Sequence, residues 1–462
     1  MNEKETNMKT TLTVDCFYLK SAWQVVCRLF SDQFRRLSTL RSGSLRSALT
    51  ALLLAPLAAL HAADPTGADH FVRAEGAGLV RAGAPFRAVG FNQPDLFSSV
   101  LLGDAQGRAK SFAAIDDASR SGVRFLRFWA SGFWPGDMTL YFADKPAYWA
   151  RMDEVFRQAR EKDVMLVPSL FWMNYLWSDL CDEPRGKITD PNSKTYQAMR
   201  TYATELVSRY KDDQNVLMWE LGNEYTGSVD LDLSRIPNDS GAGAKHLGTR
   251  PARTREDSLT TDQLVAFHAN MTAHLHAIDP NHLVTSGDFG PRPHSRSLRE
   301  SFPEGVWKED SLADHMASLR QVQARPLDVV SIHYYGNMDG SFPPDEKPSR
   351  VGGLSSRGLE LLTEYARTAT SVGRPLFVGE LGQLSPSFNE DPEARFACAA
   401  IDMLEKEGGD LIAIWCWHYP KHPNYTVTGS TYPALLKRIS EFNRQHACGD
   451  PAQRLEGDNR VR

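Results

Sequence analysis

Eight short apolar runs, each followed by a stretch of helical period, fill the sequence between residues 85 and 444. The runs are Pro85–Phe91, Val123–Phe128, Val164–Phe171, Val216–Leu221, Leu283–Thr285, Val329–His333, Pro375–Val378 and Leu411–Trp417. The helical stretches lie around 111–121, 146–162, 193–210, 262–278, 311–323, 355–371, 391–406 and 431–444. In the stretch at 193–210, Ser193 stands at the cap position and Tyr196, Met199, Tyr202, Ala203 and Leu206 share one face. Continuous apolar strands need cover on both sides, and parallel strands need crossover helices to join them. Eight such units in one run predict a single α/β domain, a (β/α)8 TIM barrel. A doubly wound sheet competes, but the first strand ends Gly90-Phe91-Asn92-Gln93-Pro94, without the glycine-rich phosphate turn that fold uses. Ahead of it, Phe71–Arg73 and Leu79–Arg81 around Gly76 and Gly78 read as an N-terminal hairpin. Long inserts at 225–261, 286–310 and 336–354 follow strands four, five and six, on the C-terminal face where barrel enzymes build their sites.

The net charge of −5 includes a basic leader: residues 1–62 hold eight Lys/Arg against four Asp/Glu, leaving −9 on the remainder. That acidity, with no clustered Lys/Arg stripe, argues against nucleic acid as a partner. The apolar run Ala48–Leu60 follows Arg35, Arg36, Arg41 and Arg46 and precedes Ala62 and Ala63. This is the charged, apolar, small-residue order of a secretory signal peptide, and the run is short for a membrane span. Residues 1–63 are therefore expected to be a cleaved leader on a secreted or periplasmic protein. The long stretch ahead of the apolar run reflects either a start upstream of the true one or twin-arginine export through Arg35-Arg36. Residues 64–448 form the barrel domain, and the polar tail 449–462 is expected to be disordered. Beyond the leader, Cys181, Cys398, Cys416 and Cys448 show neither CxxC spacing nor a neighbouring His cluster, so no metal site is expected. In an oxidising compartment Cys398, opening one helix, and Cys448, following the next, are disulfide candidates; Cys416, inside an apolar strand, reads as a buried free thiol.

Two segments end on glutamates beside glycine: Trp219-Glu220-Leu221-Gly222-Asn223-Glu224 and Phe377-Val378-Gly379-Glu380-Leu381-Gly382. Paired carboxyls, Glu224 and Glu380, at the open ends of strands in one barrel are what glycoside hydrolysis requires. One protonates the departing oxygen while the other attacks the sugar or activates water. The alternative is that such glutamates pair with arginines inside the barrel. Arg127 ends strand two, where a guanidinium can hold a carboxylate ionised and oriented. His333 and Tyr335, two apart, share a face; the phenol can tune a nucleophile, and the imidazole can contact substrate or the acid/base. Trp129, Trp134, Trp172, Trp177, Trp415 and Trp417 lie at or beyond strand ends, where an indole can pack on the C–H face of a pyranose. Trp417 is expected to be the platform at the cleavage point, Trp415 to pack the barrel one pleat deeper, and Trp129, Trp134, Trp172 and Trp177 to line flanking subsites. Trp149 and Trp219 read as core, and Trp307 lies in the insert after strand five.

On these residues the chain resembles glycoside hydrolase family 5 and the wider clan A of retaining β-glycosidases, over roughly 71–445. Asn223-Glu224, Glu380, Arg127, the His-x-Tyr of His333 and Tyr335 and a strand-eight tryptophan carry the resemblance. Within the family, FVRAEGAGLVRAGAPFRAVGFN at 71–92, RFWA at 127–130 and LFWMNY at 170–175 are similar to the β-mannanase branch. Tyr225 departs from the proline of many endo-acting relatives, and strand three lacks the histidine of many cellulases. The resemblance implies a retaining enzyme, without cofactor and monomeric, acting on a polysaccharide, mannan first. Glu380 is expected to be the nucleophile and Glu224 the acid/base, its pKa raised by the Glu380 charge, with Asn223 on the substrate 2-hydroxyl. A β-1,4-glucanase, an exo-acting β-glycosidase and a catalytically silent carbohydrate-binding barrel are the alternatives.

Overall fold

Near-continuous apolar strands bury both faces only by closing on one another, and in the computed structural model of the chain they do. The structure describes residues 70–235, 243–336, 350–351, 354–355, 359–383, 391 and 393–446. The expected leader, Cys448, most of the insert after strand six and the polar tail lie outside these residues. Three strands, β1 (Arg73–Glu75), β2 (Gly78–Arg81) and β3 (Ala84–Phe86), form a small antiparallel sheet. The barrel consists of β4 (Ala88–Asn92), β5 (Phe125–Trp129), β6 (Met165–Phe171), β7 (Met218–Gly222), β8 (Leu283–Thr285), β9 (Val330–Gly336), β12 (Leu376–Gln383) and β13 (Leu411–Trp415). Two short strands, β10 (Arg350–Val351) and β11 (Leu354–Ser355), pair with each other between β9 and β12 in sequence.

The eight barrel strands run parallel in the order β8-β7-β6-β5-β4-β13-β12-β9. Between the outer two, a parallel bridge joins Thr285 to Val329, and Asp328 N–H donates to Val284 O at 2.9 Å. The (β/α)8 barrel read from the sequence is therefore the fold. The expected first strand, Pro85–Phe91, divides in two: Ala84–Phe86 belongs to the small sheet, and Arg87 turns away to donate its N–H to His446 O.

The interior is layered. At the N-terminal end Phe125, Met165, Met218 and Phe377 cluster with Val72 and with Leu79 and Phe86 of the small sheet, which stops the lower mouth of the barrel. Gly90 makes this possible, since a Cβ there would stand 2.7 Å from Phe125 Cγ. One pleat higher along the same strands stand Asn92, Arg127 and Glu220, all buried, so the barrel changes from apolar to polar on the way to its upper mouth. A larger apolar cluster packs strands against helices. Ser193 caps Lys194–Tyr210, accepting from Tyr196 N–H at 2.9 Å, an arrangement worth about 1 kcal/mol. Among the described residues, no helix is long and apolar enough to cross a membrane.

The last helix, Pro433–His446, is fastened by one side chain. Asn443 Oδ1 accepts from Val89 N–H at 2.7 Å, and Nδ2 donates to Val89 O and Gly122 O, each at 2.8 Å. Asn443→Ala leaves Val89 N–H and Gly122 O buried and unpaired, while Val89 O keeps the Arg124 N–H, a loss of about 2–4 kcal/mol. Urea denaturation measures it, and an unchanged midpoint would show that the apolar face and the Arg438 and His446 contacts hold the helix without Asn443.

Candidate active site

Arg127 is fully buried, and its guanidinium donates to four side chains. Nε bonds Glu220 Oε2 at 2.8 Å, Nη1 bonds Asn92 Oδ1 at 2.8 Å and Glu380 Oε1 at 3.0 Å, and Nη2 bonds Asn223 Oδ1 at 2.7 Å. The partners come from β4, β7, the turn after β7, and β12. Glu380 gains a second donor in Tyr335, whose hydroxyl reaches Oε2 at 2.6 Å. Burial, and then the Glu380 charge, hold the Tyr335 phenol well above its usual range, so it remains a donor.

Glu224 begins the turn that follows β7, with a left-handed φ of +56°. That conformation is rare for a side chain of this kind and is held from several sides. Glu224 N–H donates to Gly287 O at 3.0 Å, and Asp288 Oδ1 accepts from Thr226 N–H at 3.1 Å. Tyr225, the departure from proline, has its ring buried 6.1 Å from Phe267 and donates its hydroxyl to Phe171 O at 2.6 Å. Asp288 is itself buried, which pushes its carboxyl up to about 7 against the pull of the Thr226 and Tyr225 N–H groups.

His333 stands between the two carboxyls. Its Nδ1 lies 2.8 Å from Glu224 Oε1 and 3.6 Å from Glu380 Oε1. Burial pushes this imidazole down to about 4, so a neutral ring faces Glu224 at ordinary pH. Gly379, beside Glu380, is required by this packing: a Cβ there would stand 2.9 Å from His333 Nε2.

Both carboxyl pKa values are raised, chiefly by burial. In Glu224 only Arg127 opposes the rise, and burial rather than the expected Glu380 charge is its main cause. In Glu380 the neighbouring His333, the Arg127 charge and the Tyr335 hydrogen bond act against burial, and the Glu224 charge adds to it. The surroundings therefore differ: Glu380 has two donors that favour its anion, and Glu224 has a neutral ring. The Glu224 side chain keeps 41% of its surface exposed, so it is open to a ligand. Donor atoms of Glu224, His333 and Glu380 lie within 4.8 Å of one another, close enough to hold a metal. Glu380 already accepts from Arg127 and Tyr335.

Aromatic rings wall this centre. Trp129, Trp172, Trp415 and Tyr419 form one cluster with the buried thiol of Cys416. Trp172 lies under the Arg127 guanidinium at 4.2 Å, Trp129 meets it edge-on at 5.6 Å, and Trp415 Nε1 donates to His422 Nδ1 at 2.9 Å. Trp134 is half-buried against Phe133.

Three expected positions are corrected. Trp417 is 0% exposed, packs on Phe91 at 4.9 Å and donates to Ala114 O at 3.0 Å, so no sugar reaches it. The strand ends at Trp415; beyond it Cys416 N–H donates to Tyr425 O and Val427 N–H donates to Cys416 O, and the pleat parity is lost, so Trp415 takes the wall position instead. Trp177 is buried among Tyr141, Phe171 and Tyr202 and belongs to the core. Cys181, Cys398 and Cys416 are free thiols, while the Cys448 half of the expected disulfide lies outside the described residues.

Sequence reasoning missed Asn92, Glu220, Asp288 and His422. The alternation of β7, Met218 then Glu220 inward, carried a signal for Glu220; Asn92 was visible as the polar end of strand one. Asp288 and His422 lie in loops whose path no periodicity encodes.

Two carboxyls facing one another over the mouth of a (β/α)8 barrel, walled by indoles, define the class: this is a glycoside hydrolase. The family model for Cellulase (glycosyl hydrolase family 5) matches residues 82–421, and the chain belongs to that family. It is similar to mannan endo-1,4-beta-mannosidase 8 of Oryza sativa subsp. japonica, at 26% identity over 337 residues, 67% of this chain and 79% of the relative. Mannan endo-1,4-beta-mannosidase F of Aspergillus fumigatus is 23% identical over 344 residues, 69% of this chain and 65% of its own. Among solved structures, the endo-1,4-beta-mannanase from Rhizomucor miehei superposes with a TM-score of 0.55 at 18% identity, covering 80% of this chain and 99% of that one.

Trp417→Ala is expected to cost about 3–5 kcal/mol of stability by removing a buried indole and its hydrogen bond. Trp415→Ala should lose less stability but slow hydrolysis of short aryl glycosides. Denaturation and initial-rate assays on both variants separate the two, and the reverse pattern would restore Trp417 as the platform.

Proposed function

We propose that the protein is an exported, retaining glycoside hydrolase that cleaves β-linked mannan within the chain. The observation that carries the retaining reading is the approach of the Glu224 and Glu380 carboxyls, with donor oxygens within 4.8 Å of one another. Retaining enzymes hold their carboxyls about 5–5.5 Å apart, and inverting ones leave room for a water between. The mannan reading is supported by relatives named as mannan endo-1,4-beta-mannosidases. The signal-like leader supports export, to the periplasm or the medium.

Glu380, given two donors, is the nucleophile. Its attack on the anomeric carbon forms a glycosyl ester while Glu224 delivers its proton to the leaving oxygen. Glu224, now a carboxylate, then takes a proton from water, and the water displaces Glu380 with a second inversion. Asn223 Oδ1 is engaged by Arg127, which aims its amide Nδ2 as a donor toward the substrate 2-hydroxyl. A β-1,4-glucanase is the second reading, favoured by the description of the matching family model. Rates on mannan, glucomannan, carboxymethylcellulose and xylan decide between them; no activity on any of these would favour a silent binder.

Glu380→Ala should abolish turnover. Glu224→Ala should keep activity on substrates with good leaving groups, and azide should rescue it as a β-glycosyl azide. Rescue of the Glu380 variant instead would reverse the roles. An initial α-anomer by NMR, from a β-linked substrate, would sink the retaining mechanism.

The pH profile follows from the same assignment. Activity needs Glu380 ionised and Glu224 protonated, so it falls below the first pKa and above the second. Because burial raises the Glu224 pKa, the alkaline limb should lie above the ordinary glutamate range. Glu224→Ala, assayed on an activated aryl glycoside, should flatten that limb; a limb that persists would assign it to another group.

A further inference from the structure

Trp307, in the insert after β8, is 60% exposed, and Val306 beside it is 55% exposed. The backbone on both sides is pinned. Val306 N–H donates to Ser301 Oγ at 2.8 Å, Lys308 N–H donates to Ser297 Oγ at 3.1 Å, and Ser297 Oγ donates to Lys308 O at 2.7 Å. An imidazole and a guanidinium flank the indole: His294 meets it edge-on at 5.5 Å, and Arg292 Cζ lies 5.8 Å from its centroid. An indole fixed in water, with the His294 imidazole beside it, offers what a pyranose needs: a flat apolar face for C–H bonds and a hydrogen-bonding group for a hydroxyl. The pinned backbone also means that little ordering entropy is lost on binding.

The position of this indole follows from Arg292. Its guanidinium donates to Gly227 O at 3.5 Å and to Val229 O, both in the loop that begins at Glu224. The Trp307 segment is thereby fastened to the acid/base loop rather than to the β12 side where Glu380 stands. A group that protonates the leaving oxygen lies on the side where the departing part of the polymer runs.

We infer that Trp307 is a remote binding platform for the leaving-group end of a β-linked polysaccharide, outside the catalytic cleft proper. The inference rests on the reading of Glu224 as acid/base and of mannan as substrate. The platform engages long chains only, since a short glycoside ends before reaching it.

Affinity electrophoresis of wild type, Trp307→Ala and Trp307→Phe in gels containing soluble glucomannan tests this, beside rates on a short aryl β-mannoside. The exposed position makes misfolding of the alanine variant a minor concern. Loss of one stacking contact, about 1 kcal/mol, should weaken retention of Trp307→Ala about fivefold. Trp307→Phe should recover much of it, and the aryl mannoside rate should not change in either variant. Equal retention of wild type and Trp307→Ala overturns the platform while leaving the mannan reading intact. An equal loss on the aryl mannoside also overturns it, by placing Trp307 within the cleft. A wild type that neither cleaves nor is retarded by glucomannan overturns the substrate reading, and this inference with it.

Discussion

A single buried guanidinium organises the upper mouth of the barrel. Arg127 on β5 bonds side chains from β4, β7, the turn after β7, and β12, so the ends of four strands are fixed relative to one charge. Two of its partners, Glu220 and Glu380, are carboxylates with almost no solvent, and neither could stay there without a counter-ion. One positive charge facing two negative ones leaves the site short of cations. A third charge, on Glu224, is disfavoured by burial, with the Arg127 charge acting against it. The difference between the two facing glutamates thus follows from where Arg127 points, without a dedicated acid or base elsewhere.

The layered interior explains how such a charge is tolerated. Below Arg127 the strands contribute Phe125, Met218 and Phe377, and the small N-terminal sheet closes the end with Leu79 and Phe86. Water is kept from the lower barrel by side chains, while the polar layer opens only upward, toward the indoles of Trp129, Trp172 and Trp415. Stopping the lower mouth and arming the upper one are two consequences of the same alternation along each strand.

That alternation is why so much was legible in the sequence. Short apolar runs alternating with period-3.6 stretches marked the eight repeats, and glycine beside glutamate marked the strand ends where Glu224 and Glu380 emerge. Arg127, His333 and Tyr335 followed by parity alone, since each sits on a regular strand. Where regularity stops, parity misleads. Trp415 and Trp417 are two residues apart and would share a face on an extended strand, yet the chain turns at Cys416 to pair with Tyr425 and Val427, and Trp417 ends in the core. Trp177 was misplaced for a similar reason: it lies in the short helix Leu176–Leu180, whose buried face the strand pattern could not reveal. Asp288 and His422 owe their positions to loop paths set by tertiary hydrogen bonds, and such paths leave little trace in local composition.

The left-handed backbone at Glu224 carries a consequence for how this protein can change. A residue with a β-carbon in that region sits above its conformational minimum, and glycine or asparagine would rest there more comfortably. Substituting either would relax the chain and remove the carboxyl in the same step. Selection for a tougher fold and selection for chemistry therefore pull in opposite directions at this one position. On the proposed assignment of Glu224 as acid/base, thermostability has to be sought in the helices and outer loops, because the easiest local gain lies at the residue that chemistry requires.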